Sequence, residues 1–291
     1  KHFVDRVYSP ERVLHPLRRT GPKGSDSFER VSWDAALDDI AARTEAAIAR
    51  HGGASVMPYS FAGTIGIAQR YAGNLLFRRM GATELLGDYC GNVAYTGVAQ
   101  TNGPQTAVLP EDVVNARYIV LWGTNTVVTN LHMWSSVVRK AQQRGAKIVV
   151  IDPVRTRTAE RADWHVQIKP GTDAALALGM MHVIVREDLH DTDYIERYTL
   201  GFDELRERIA GYPPERVAAI TGLAVADIVT LAVEFARATP AVIRMLVGPE
   251  RQGNGAEMFR AIACLPSLTG AWRELGGGLC QFTVDLFRES L

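Results

Sequence analysis

An α/β fold built on a parallel sheet is predicted by three features of the chain. Tyr118–Trp122 is a short apolar run that ends at Gly123 and the polar Asn125, and 147–151 repeats the pattern before Asp152-Pro153. A helix-compatible stretch at about 130–144 separates them, and two strands joined through such a helix form a right-handed βαβ unit. In open sheets of this kind ligands lie beyond the carboxyl ends of the strands, which puts Gly123, Asn125 and Asp152 where a nucleotide would bind. A third element, Lys169-Pro-Gly171-Thr172-Asp173, precedes a helical run at 174–186, and the amides at such a helix start suit phosphate or polar base edges.

Taken in order, residues 1–29 contain Pro10, Pro16, Pro22 and the arginines 6, 12, 18 and 19, without strand or helix periodicity. They read as an arm whose arginines face either solvent or an anionic group. From Trp33 to Arg50 the residues Leu37, Ile40, Ala41, Ala47 and Ile48 share one helical face, with Ser32 as N-cap and Gly52 as stop. Residues 54–60 are expected as a strand, 61–66 as a Gly-rich turn and 67–80 as a helix. The GxxG in that turn is short, so close packing explains it better than a phosphate cradle.

Cys90 opens a segment of small residues that includes Gly91, Ala94 and Gly97. At a helix N-terminus a thiolate is stabilised by the backbone dipole, which suits a nucleophile or a metal ligand. The competing reading is a small core residue. The small neighbours suit either a large cofactor or tight helix contact. Beyond the organising unit, helical runs are expected at 174–186 (with His182 as a satisfied core histidine), 193–198, 203–209, from Pro213-Pro214, and at 225–237. A buried strand is expected at 241–247 and a helix at 253–268, with glycines 276–278 closing the pattern.

The 291 residues carry no net formal charge, and 47% are hydrophobic and 22% charged. That length supports about two domains. Neutrality argues against a nucleic-acid partner and for a small-molecule ligand. No apolar run reaches the roughly 18 residues that span a bilayer, and no secretory signal is visible, so the expected location is the cytoplasm. Cys90, Cys264 and Cys280 are too few and too scattered for a disulfide framework or a CxxC metal site. No GxGxxG opens a βαβ unit, which argues against an NAD-dependent Rossmann enzyme.

With these elements placed, the sequence resembles the molybdopterin oxidoreductases of the dimethyl sulfoxide reductase and formate dehydrogenase superfamily. The resemblance runs along nearly the whole chain: Arg6-Val-Tyr-Ser-Pro-Glu-Arg12, His15-Pro-Leu-Arg18, Val31-Ser-Trp-Asp-Ala-Ala-Leu37, Trp122-Gly-Thr-Asn125, Ile151-Asp-Pro153 with Arg155, and Gly171-Thr-Asp173. It ends with Gly248, Gln252, Gly255, Arg260, Leu268-Thr-Gly270 and Gly276-Gly-Gly278. The resemblance implies two molybdopterin guanine dinucleotides around one molybdenum or tungsten, with Cys90 as the protein ligand among soft dithiolene sulfurs. It implies that Gly123 and Asn125 contact one dinucleotide, that Asp152 and Asp173 recognise guanine or ribose, and that Arg155 neutralises phosphate, with Gly171 and Thr172 beside them. Helix capping is the structural alternative for the two acids. It also implies His132 and Gln252 as catalytic-site residues near the metal and the substrate funnel, with a surface histidine of the crossover helix as the alternative for His132.

Two departures stand out. Thr126 replaces the proline that usually follows Trp-Gly-x-Asn, and Gly91 stands where formate dehydrogenases place histidine, which argues against formate as substrate. The four-cysteine segment for a 4Fe-4S cluster is expected upstream of Lys1, and a further pterin-binding barrel is expected elsewhere, so the chain reads as a central portion that is inactive alone. The implied architecture is a Rossmann-like molybdopterin guanine dinucleotide-binding domain at 86–250, inserted into a smaller α/β domain made of 30–85 and 251–291, after the arm at 1–29. The implied function is oxygen-atom transfer, or proton and two-electron transfer, on a small molecule, with an electron-transfer partner subunit. The rival is a non-catalytic structural member of the same superfamily serving in an electron-transfer complex, which would have no reason to keep Cys90.

Overall fold

The computed structural model describes residues 3–59, 72–85, 90–104 and 107–281. It divides into two units, Lys1–Asp88 and Tyr89–Leu291.

In the first unit the expected featureless arm contains a helix, Phe3–Val7, and an antiparallel pair of strands, β1 (Leu17–Arg19) and β2 (Phe28–Arg30). These strands are three residues long, too short to show alternation, and they are tied by the cross-strand pair of Arg18 with Glu29 (Nε to Oε1, 2.8 Å). The helix Trp33–His51 forms as its pattern dictates: Ser32 Oγ accepts from the Ala35 amide at 3.1 Å, and Gly52 ends it at φ 80°. Its apolar positions Leu37 and Ile40 nevertheless remain exposed. The strand expected at 54–60 is not found in its described part. A 3₁₀ turn, Gly53–Ser55, takes its place, and Val56 O accepts a single bond from the Thr83 amide instead of joining a ladder. Of the helix expected at 67–80, Asn74–Arg79 is described and helical. The Gly-rich turn at 61–66 lies outside the described residues.

The second unit is a five-stranded parallel sheet: β3 (Tyr118–Trp122), β4 (Lys147–Ile151), β5 (Trp164–Val166), β6 (Ala241–Met245) and β7 (Gly278–Cys280), in the order β5-β4-β3-β6-β7. Alternation assigns the two faces. Tyr118, Val120 and Trp122 face the helices Asp173–Arg186, Val225–Arg237 and Gly255–Leu268, while Ile119, Leu121, Ile148 and Val150 face Met133, Trp134, Val137 and Val138. Burying both faces of the central strands explains why they read as continuous apolar runs. The β3–β4 crossover is less regular than the period suggests: a turn at Thr126–Thr129, a π-helical stretch at Met133–Val138, then Arg139–Gln143 as α-helix.

Two strands were not anticipated. β5 has three residues, and β7 begins at the last residue of the glycine triplet, so neither carries a recognisable period. β7 and the helix Gly255–Leu268 both belong to this second unit. Among the described residues they complete the sheet edge and one helical layer of the second unit. The reason is hydrophobic: Met258, Phe259, Ile262 and Leu265 are wholly buried. The five strands and their flanking layers make the fold a mixed α/β architecture.

At the amino end of the sheet, Lys147 Nζ pairs with Glu234 Oε2 at 2.6 Å and Tyr118 Oη donates to the same oxygen at 3.0 Å. Burial first, and the Glu234 charge second, push the Tyr118 hydroxyl far above its ordinary range. His182 is the satisfied histidine expected, with Nδ1 3.0 Å from Ile209 O. No single described helix is long and apolar enough to cross a membrane.

Candidate cofactor site

The chain runs from β3 to β4 to β5 on one side of the sheet, then places β6 on the other side of β3. This reversal opens a crevice at the carboxyl ends of β3 and β6, where α/β sheets receive ligands. Four strand-end loops meet there. Gly123, directly after β3, has φ +61°, and a Cβ on it would run into the Pro249 ring. A Cβ on Gly248 would come within 2.6 Å of Gly123 O. The loops after β3 and β6 are therefore in backbone contact, which only glycine permits. Gln252 lies over Gly171, 3.3 Å from the Cβ position there, and brings the β6 loop to the 169–173 turn. Thr172 Oγ1 donates to Lys169 O at 2.7 Å and closes that turn just before the helix Asp173–Arg186.

Asp173 is buried, and its Oδ1 accepts from Trp122 Nε1 at 2.7 Å. Burial raises its pKa, the Trp122 bond opposes the rise, and the charge of Asp152 adds to it. Asp152 is raised as well, again chiefly by burial, against the pull of the Val154 amide (2.8 Å to Oδ1) and of His165. Two carboxylates held partly desolvated at neighbouring strand ends are poised to accept hydrogen bonds from a polar ligand. Asp173 also begins its helix, so the capping alternative and the ligand reading apply to one carboxylate. Asp152 forms a local turn and caps no helix.

Asn125 is tied into the scaffold: its Oδ1 accepts from Thr158 Oγ1 at 2.8 Å, and Thr158 in turn accepts from the Val127 amide at 3.0 Å. Thr126, in place of the usual proline, is buried, and its hydroxyl lies 3.2 Å from that of Thr124. Arg155 is exposed beyond β4 and makes no hydrogen bond or ion pair among the described residues, so its charge is available. His132 is exposed on the β3–β4 crossover, and no hydrogen bond or ion pair among the described residues joins it to Cys90 or to the strand-end loops.

Cys90 is exposed, in no disulfide, and stands two residues before the helix Asn92–Asn102. The small residues after it serve helix contact: a Cβ on Gly97 would meet Ala256 O and stand 2.9 Å from Phe259 Cβ, which seats this helix against Gly255–Leu268. Two residues of the β6 loop that sequence reasoning passed over reach the same place. Glu250 Oε2 accepts from the Ala94 amide at 2.8 Å, and Arg251 Nη2 donates to Cys90 O at 2.6 Å. The only sequence signal for them was their position between Gly248 and Gln252. Arg244 is another surprise, a buried cation in β6 whose Nη1 donates to Cys280 O (3.1 Å) and Gln281 O (2.7 Å), while its Nε has no partner among the described residues. Cys264 and Cys280 keep the core reading, since burial pushes both thiols up.

A family model described as molybdopterin oxidoreductase matches residues 12–284. The chain belongs to this family. Among curated relatives, a probable oxidoreductase, YoaE, of Bacillus subtilis (strain 168) is 41% identical over 96% of this chain and 41% of its own length. Acetylene hydratase of Syntrophotalea acetylenica is 36% identical over 90% of this chain and 36% of its own length. Dimethyl sulfoxide reductase DmsA of Escherichia coli (strain K12) is 33% identical over 91% and 36%, respectively. The solved structure of acetylene hydratase from Pelobacter acetylenicus superposes with a TM-score of 0.74 at 31% identity, covering 93% of this chain and 37% of that one. The chain thus spans about two-fifths of the length of the molybdopterin oxidoreductases it matches.

The residues fit the family's cofactor. The crevice has glycine-lined backbone where a Cβ would intrude, two partly desolvated carboxylates and an available arginine. Among the described residues no group of three or more His, Cys, Asp or Glu could hold a metal ion.

Proposed function

We propose that the protein carrying this chain is a molybdenum or tungsten oxidoreductase with two molybdopterin guanine dinucleotides, in which Cys90 is the metal's protein ligand. The observation that carries this reading is the β6 loop. A single stretch, Gly248–Gln252, touches Gly123, Gly171 and the backbone of Cys90, and so links the nucleotide crevice to the only exposed thiol among the described residues. When bound, the metal centre supplies two-electron chemistry, as oxygen-atom transfer or as coupled proton and electron transfer.

The chain's own residues do the holding and shaping. Gly123 and Gly171 give close backbone approach, Asp152 and Asp173 accept hydrogen bonds from guanine or ribose, and Arg155 faces phosphate. The Thr172 turn and the start of the Asp173–Arg186 helix present positive backbone dipole to anionic groups. Asn125 acts through its backbone and its amide nitrogen, because its Oδ1 is engaged by Thr158. Gln252 stands at the mouth of the crevice, and for His132 a role near the metal rests on the family resemblance alone. Gly91 offers no proton acceptor beside the metal, which supports a small oxo-substrate over formate. One relative is by name a hydratase, so the family sets the cofactor class and the substrate assay must set the net reaction.

The test is elemental analysis of the anaerobically purified complete protein for molybdenum, tungsten and iron, beside Cys90→Ala. About one Mo or W per chain, with perturbed binding and lost turnover in the variant, is the expected result. Iron counts the proposed 4Fe-4S cluster in the same sample. Full metal and unchanged activity in Cys90→Ala would overturn the ligand assignment. No metal at all would favour a structural subunit.

A further inference from the structure

The helix that follows Cys90 has an unusual start. Its N-cap is Gly91, at φ −139° and ψ 6°, which has no side chain to accept from the first-turn amides. Those amides are unsatisfied within any helix and need an outside acceptor. Here the acceptor comes from far along the chain: Glu250, whose side chain is 1% exposed, takes the Ala94 amide at 2.8 Å. Its other oxygen pairs with Arg251 Nη1 at 3.1 Å, and Arg251 Nη2 donates to the carbonyl of Cys90 itself at 2.6 Å. The three contacts close a loop of bonds around the backbone on both sides of Gly91. Local sequence would leave Cys90 on a glycine hinge, whereas this clamp keys it to the end of β6.

We propose that Glu250 and Arg251 are positioning residues that fix the direction of the Cys90 sulfur and set the charge beside it. The proposal rests on the reading of Cys90 as metal ligand. Glu250 places a buried negative charge and Arg251 a half-exposed positive charge at the head of one helix, 3.1 Å apart. Neutralising one of them changes the charge beside the metal by one unit. A nearby positive charge favours the reduced centre, and a negative charge favours the oxidised one. Glu250→Gln therefore raises the midpoint potential of the centre and Arg251→Gln lowers it. The Glu250 shift is the larger, because its charge is buried while that of Arg251 is screened by solvent. A residue that merely held the fold would not produce shifts of opposite sign.

The experiment uses the complete protein with four variants: Glu250→Gln, Arg251→Gln, Arg251→Lys and Cys90→Ala. Metal content, the number of sulfur neighbours by X-ray absorption and the midpoint potential are measured on each. Opposite-signed shifts in the two Gln variants, a disordered sulfur shell in both, and recovery of potential in Arg251→Lys support the proposal. Should Glu250→Gln fail to fold, Glu250→Asp keeps the charge but shortens the reach, and its expected signature is a disordered sulfur shell at near-normal potential. Unchanged sulfur shell and potential in both Gln variants, or shifts of the same sign, overturn the proposal while leaving the Cys90 ligand intact. A wild-type sulfur shell in Cys90→Ala overturns the ligand reading itself, and with it this inference.

Discussion

Trp122→Phe tests whether the buried carboxylate at the carboxyl end of the sheet is held as the structure shows. Phenylalanine keeps an aromatic ring at the end of β3 and deletes the Nε1 donor that sits 2.7 Å from Asp173 Oδ1. A hydrogen bond to a charged group contributes about 1.5–3 kcal/mol. The smaller ring adds about 1 kcal/mol of lost burial, since Trp122 is wholly buried. The sum, about 3 kcal/mol, corresponds to a fall of about 6–12 °C in Tm for a unit of this size. The pH dependence separates the two contributions. The folded-state pKa of Asp173 lies above its unfolded value, so the native state holds that proton more tightly. Stability due to this group is full below the unfolded carboxylate value and is lost as pH rises through the raised folded value. Removing the Trp122 donor raises the folded value further. The cost of Trp122→Phe is thus expected to be largest near neutrality and to shrink towards the ring contribution of about 1 kcal/mol at pH below the ordinary carboxylate range. Thermal unfolding followed by circular dichroism at both pH values reads this directly, with Asp173→Asn as the background in which the charge is absent. Equal Tm losses at neutral and acid pH would refute the reasoning, because they would show that the carboxylate does not feel the indole.

Further outcomes follow from the same contacts. Gly97→Ala drives a Cβ into Ala256 O at the seat of the helix that carries Cys90. It is expected to cost about 1–3 kcal/mol of stability, as overpacking does, and to lower metal content in elemental analysis. Gly123→Ala combines a left-handed backbone with the Pro249 ring in its path. The expected cost is about 1–3 kcal/mol, with faster release of guanine nucleotide on mild denaturation, read by chromatography of the supernatant. Glu234→Gln breaks the partly exposed Lys147 pair at the far end of the sheet and should cost about 1 kcal/mol with turnover unchanged. Ultraviolet titration of the same variant should find the Tyr118 hydroxyl closer to its ordinary range, still raised by burial.

Much of this fold is written in local pattern. β3, β4 and β6 are apolar apart from Lys147 and Arg244 because both faces are covered, and Gly123, Asp152 and Gly248 mark where each strand or its extension gives way to a loop. The helix at 33–51 announces itself by period and by its Ser32 cap, and those at 173–186 and 225–237 by apolar positions that meet the core. The thiol's place at a helix head is also legible, since small residues after Cys90 point to a close approach. Tertiary structure decided the rest. β5 and β7 are three residues long and exist only because a neighbouring strand supplies their bonds. The membership of 255–281 in the sheet unit rests on which apolar face it meets, and a run of apolar residues does not name its partner. The clamp on Cys90 is the clearest case. Gly91 removes any local cap, and the residues that replace it, Glu250 and Arg251, lie some 160 positions away. A hydrogen bond between such distant residues depends on how the chain closes its sheet, so its chemistry becomes visible only once β6 lies beside β3.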